Sequence, residues 1–145
     1  MYAPHTVTVF NVGRDEDIMT GFQPISATIL RGVLMDASKA VNVRESGLVG
    51  ADSVNLYIPF TAEAVDALTG LPRSYVGPKE YDNADDVSGL WTLDVERHFF
   101  AKGEITEALD FQTINRKYES VHLITKVDTK DFGSPSMRHW EVGGA

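Results

Sequence analysis

The feature that most constrains this chain is a short stretch in which apolar and polar residues alternate one by one. Over Ser53 to Ile58, Val54, Leu56 and Ile58 take one side and Asn55 and Tyr57 the other, until Pro59 withdraws a backbone donor. A period of two suits a strand with one buried face and does not suit a helix. Similar β-rich runs recur along the sequence. His5 to Asn11 sets Val7 and Val9 against Thr6, Thr8 and Phe10. Ile25 to Leu34 predicts a second strand, bent where Gly32 signals a bulge or a close backbone approach. Trp91 to Val95 and Arg97 to Lys102, the latter ending at Gly103, predict a further strand or hairpin. Glu119 to Asp128 and Met137 to Val142 flank the polar turn Thr129 to Ser136, which makes a closing hairpin with Trp140 turned toward the core.

Helical signals are few. Thr61 to Leu68, with Thr61 as N-cap and Gly70 just beyond, predicts two helical turns. Ile105 to Tyr118 predicts a short helix, weakened by Thr113 and Asn115. Leu71 to Gly89 carries Pro72, Pro78 and the acids Asp82, Asp85 and Asp86, so it reads as a loop, pinned to the body by Tyr75 and Tyr81. Asp36 to Asp52 reads as a long excursion with room for a short strand at Val41 to Val43. Six or more short strands with one or two short helices and long loops define a mainly β protein, a small β-barrel or sandwich, and 145 residues suit a single domain spanning 1–145.

Composition narrows the chemistry. The chain has no cysteine, which removes disulfides, thiolate metal sites and cysteine nucleophiles and fits folding in a reducing compartment. Its 21 acidic residues against 13 basic ones give a net charge of −8, which disfavours tight nucleic-acid binding. No apolar stretch is long enough to span a bilayer, and Met1 to His5 lacks the pattern of a secretory signal, so no membrane partner is expected.

No catalytic residue, metal or cofactor is expected either. His5, His98, His122 and His139 stand in no metal-ligand spacing. The clusters Asp15, Glu16, Asp17 and Asp82, Asp85, Asp86 lie in polar segments that read as solvated loops. Ser46-Gly47 and Gly133-Ser134 lack the frame of a nucleophile elbow, and Gly47-x-x-Gly50 lacks the lysine of a phosphate cradle. A small-ligand-binding or enzyme site, the minor alternative, would lie at a barrel mouth near Trp91, His98 and Trp140.

Several phrases, in order along the chain, carry a resemblance. They are His5 to Asn11, Leu30-Arg31-Gly32-Val33, Asp52 to Pro59, Trp91-Thr92-Leu93 with Lys102-Gly103, and Phe132-Gly133-Ser134 with His139-Trp140-Glu141-Val142. Together they resemble the head-closure or stopper proteins of the neck of tailed bacteriophages and prophages of Gram-positive bacteria. That resemblance implies a head-closure-like β-barrel in a homo-oligomeric ring beneath the portal and adaptor. Portal and adaptor proteins would lie on the capsid side and tail proteins on the other, with double-stranded DNA passing non-specifically through the channel. It implies a virion protein made in the host bacterial cytoplasm, with no catalytic residues to carry over. The loop that reaches toward the channel in that family matches Asp36 to Asp52 here, which nominates Lys39, Val41, Val43, Arg44, Glu45, Leu48 and Val49 as channel or inter-subunit residues. Thr61 to Gly89 is an insertion relative to the family pattern. A tail-terminator or other minor virion role is the principal alternative.

Overall fold

The computed structural model describes residues 2–15, 19, 21–37 and 54–145. In chain order the elements are β1 (His5–Val12), β2 (Ile25–Ala37), β3 (Val54–Pro59), β4 (Glu63–Asp66), β5 (Ser74–Tyr75), α1 (Pro78–Asn83), β6 (Leu90–Trp91), β7 (Phe99–Lys102), α2 (Phe111–Lys117), β8 (Val121–Lys130) and β9 (His139–Gly144). Strands β1, β7, β8, β9, β3 and β2 hydrogen-bond in that order, and β2 returns to β1, so six antiparallel strands close a barrel. Closure leaves few free edges. The expected mainly β fold is therefore a barrel and not a sandwich.

Strand β2 serves two partners along one edge, β4 over Thr28–Arg31 and β3 over Leu34–Ala37, while its other edge pairs with β1. The break between them is Gly32, which sits at φ 86° opposite the register slip between His5 and Thr6 of β1. A Cβ there would meet nothing, so backbone conformation and not space demands glycine. At the far end of β9 the demand is reversed. A Cβ on Gly144 would come within 2.9 Å of Phe100 and His122, so this strand closes against the barrel only without a side chain.

Alternation along the strands produces two cores on opposite sides of one wall. Val7, Val9, Leu30, Leu56, Ile58, Phe100 and Val142 point into the barrel, and the buried rings of Trp91 and Trp140 join that cluster. Phe10, Ala27, Ile29, Phe99, Ala101 and Val121 point outward and are covered by Ile105 and by Ile114 of α2. Burying both faces explains why β7 reads as a near-continuous apolar run.

Several expectations need correction. Thr61 to Leu68 is not a helix: Glu63–Asp66 forms β4 against β2, and Asp66 Oδ1 accepts the N–H groups of Leu68 and Thr69 to turn the chain. Sheet pairing here outweighs a weak helical pattern. Leu71 to Gly89 is more than a loop, since Ser74–Tyr75 pairs in parallel with Leu90–Trp91 and α1 starts at Pro78, where a missing N–H costs nothing. The strand expected over Trp91 to Val95 stops at Trp91. The helix expected from Ile105 begins only at Phe111, because Thr8 Oγ1 accepts the Ile105 N–H and holds the preceding segment extended over the barrel wall. Val41 to Val43 and the nominated residues Lys39, Val41, Val43, Arg44, Glu45, Leu48 and Val49 lie outside the described residues.

Candidate functional site

Barrel interiors of this size either hold a ligand or fill with side chains. Here the end formed by β3, β6 and β9 is filled. Trp91 and Trp140 meet edge to face at 5.6 Å, Tyr75 lies 5.2 Å from Trp91 and 4.4 Å from Trp140, and Phe60 closes over Trp140 at 4.4 Å. Buried Asn11 clamps the adjoining segment, donating to the Thr92 carbonyl at 2.8 Å and accepting the Thr92 N–H at 3.1 Å. The mouth imagined near Trp91, His98 and Trp140 is thus occupied by aromatic rings, and the ring beside His98 is that of Tyr81.

His98 is fully buried. Its Nδ1 accepts the Val12 N–H at 3.0 Å, so the neutral ring carries its proton on Nε2, which has no acceptor among the described residues. Burial, aided by Arg97 and opposed by Asp94 and Asp82, lowers its pKa from 6.5 to about 4. Asp82, expected in a solvated loop, instead lies on α1 and is nearly buried, paired with Arg14 at 2.8 Å and with Arg97 at 3.1 Å. These contacts tie α1 to the barrel and are structural in character. On the far side, Arg73 is all but buried and donates to Asp66, Ser26, Thr28 and the carbonyls of Ala27 and Ser88, stapling β2, β4 and the insertion together.

The concave feature lies on the outer wall, as a groove of about 860 Å³. Its floor is Phe99, stacked on Phe10 at 4.5 Å and met edge-on by Phe111 at 5.3 Å. Leu109 and Asp110 form one wall, positioned by the extended segment that Thr8 anchors and by the Asp110 carbonyl accepting the Ile114 N–H at the start of α2. Phe22 and Leu123 extend the apolar surface, with Phe22 75% exposed. Glu96 and Arg97 form the remaining rim. Arg97 is committed to Asp82 and to the Val12 carbonyl, which leaves Glu96 and Asp110, the latter accepting a hydrogen bond from the Thr113 hydroxyl, as the carboxylates among the described residues that line the groove.

Glu96 has φ 79°, and the Arg97 N–H donates to the Val95 carbonyl across it, which makes a strained γ-turn. Strain of this kind clusters at sites with a role. Among the described residues no three histidines or carboxylates converge as a metal site. What the groove offers is apolar contact bordered by negative charge, the chemistry of docking. Its residues were not singled out from sequence: Leu109 reads as core at helical spacing with Ile105, and the one available signal was Phe22, an aromatic beside a charged, glycine-bearing stretch.

A closed six-stranded antiparallel barrel with a helix-covered flank and a packed end defines the class of protein. The chain belongs to DUF6751, a family of unknown function, whose model matches residues 2–145. Comparisons with curated proteins and with solved structures each found no match.

Proposed function

We propose that this chain is a non-enzymatic structural subunit of the tailed-phage neck, a head-closure barrel that forms a ring around the DNA channel and joins portal and adaptor to the tail. The observation that carries the reading is the six-stranded closed barrel whose aromatic end is packed, with its docking groove on the outer wall. Work done by such a molecule is done at its surface. Of the sequence phrases that resemble head-closure proteins, those at β1, the Gly32 bend of β2, β3 and β9 fall on barrel strands, while Trp91-Thr92-Leu93 and Phe132-Gly133-Ser134 lie outside them. The excursion assigned to the channel joins two strands that pair with each other, Ala37 opposite Val54, so both its ends leave from one end of the barrel. A net charge of −8 suits a wall past which a polyanion slides without sticking.

Electron microscopy of virions carrying an epitope-tagged copy tests this. The expected result is a ring of tag between capsid and tail. A tag at the distal side of the neck would mean a tail terminator instead, and purified virions devoid of the chain would end the neck reading.

A further inference from the structure

The turn between β8 and β9 presents exposed apolar side chains on an ordered knob. Every residue from Asp131 to Met137 is exposed, and the turn includes Phe132 at 69% and Met137 at 55%. It is held in one shape by the Arg138 guanidinium on the Gly133 carbonyl and by the Met137 N–H on the Ser134 carbonyl. Lys130 and Arg138 flank it against the single acid Asp131, so the knob is apolar with a net positive collar. The groove beside Leu109 and Leu123 is apolar, and its rim carries the acids Glu96 and Asp110 together with Arg97, whose charge is engaged by Asp82. The two surfaces match in both character and charge.

A hairpin cannot fill its own groove. Leu123 of β8 lines the groove, and the strand runs on from there to Lys130 at about 3.3 Å per residue, which carries the knob roughly 20 Å away. We propose that the β8–β9 knob of one copy seats in the Leu109 groove of the next, a head-to-tail contact that repeats from copy to copy; its closing into a ring rests on the neck reading above. Heterologous contacts of this kind generate rings or filaments, never isolated pairs. A single knob covers less than the ~800 Å² per partner of a standard stable interface, so the purified chain associates weakly and a covalent trap is the fitting readout.

The chain has no cysteine, so introduced pairs report cleanly. A Phe132→Cys/Leu109→Cys chain, purified and treated with a short bismaleimide at about 1 mM, is expected to give a ladder of covalent multimers. A mixture of the two single variants should stop at dimers. Leu68→Cys paired with Leu109→Cys is the control, since Leu68 is equally exposed on the β4 turn. No 109–132 link, or an equal ladder from the control, overturns the contact, provided each variant keeps the parent melting temperature. Both exposed positions tolerate that requirement. A ladder from a chain absent from virions would leave the contact standing and remove the neck reading, whereas virions that contain the double variant without the link would remove the contact alone.

Discussion

Lowering the pH from about 7 to about 4.5 is expected to remove about 2 kcal/mol of stability through His98 alone. The folded ring is held neutral, its pKa lowered from 6.5 to about 4 by burial and by Arg97 against the pull of Asp94 and Asp82, with uncharged Tyr81 packed beside it. An unfolded chain takes up that proton near pH 6.5. Between the two values the unfolded state binds a proton the folded state refuses, so stability falls as pH falls, and nothing changes above that window. The full gap, 6.5 to about 4 at ~1.4 kcal/mol per pH unit, is worth about 3 kcal/mol, most of it spent by about pH 4.5. His98→Asn isolates the effect, because its Oδ1 can still accept the Val12 N–H and the side chain does not titrate. Urea midpoints of both proteins at several pH values give the comparison. The variant should be less stable at neutral pH yet lose about 2 kcal/mol less than the parent on acidification. Parallel pH curves would refute the burial argument.

Four further outcomes are expected. Trp140→Ala removes the ring on which Tyr75, Phe60 and Trp91 meet, and urea denaturation should register a loss of about 3 to 5 kcal/mol. Arg73→Met should cost about 3 kcal/mol and the Asp66→Asn/Arg73→Met pair less, because the single change strands a carboxylate that burial pushes up but the Leu68 and Thr69 N–H groups and Arg73 hold below its usual pKa. Glu96→Gly relieves the positive φ and should raise stability by about 1 kcal/mol in the same assay; a loss would mean the γ-turn carries no strain. Replacing Lys39 to Gly50 by a short Gly-Ser turn should leave the melting temperature of the barrel unchanged while abolishing DNA-retaining particles, and full-titre virions would dismiss that segment as decoration.

Strands whose side chains alternate were legible because one buried face writes itself into the sequence: β1, β2 with its Gly32 bend, β3, β8 and β9 all fall within a few residues of expectation. The insertion was not. Asp66 and Arg73 decide its path by bonding to β2, and such long-range pairing leaves no periodic trace in Thr61 to Gly89. Asp82 misled for a related reason, since its partners Arg14 and Arg97 are distant in sequence and an acid among polar neighbours reads as solvated. The groove was invisible because its floor, Phe99, is itself a fully buried core residue beneath Phe111 of α2, and the groove forms only where Phe22, Leu109 and Leu123, distant in sequence, meet beside it.

Strand β9, made after the other strands of the barrel, occupies a middle place in space. β9 lies between β8 and β3, and among the described residues it is the strand that joins them. Until residues 139–144 arrive, the emerging chain holds β1, β2 and β3 as one curved ribbon with an unsatisfied row of amides along β3, and β7 and β8 can add to it only through β1. Closure therefore waits for one late insertion between strands far apart in sequence, the kind of non-local step that places β-rich domains among the slow folders, at milliseconds to seconds. Under the head-to-tail assembly proposed above the interval matters, because a half-closed barrel offers neighbouring chains a sticky edge that the finished one has sealed.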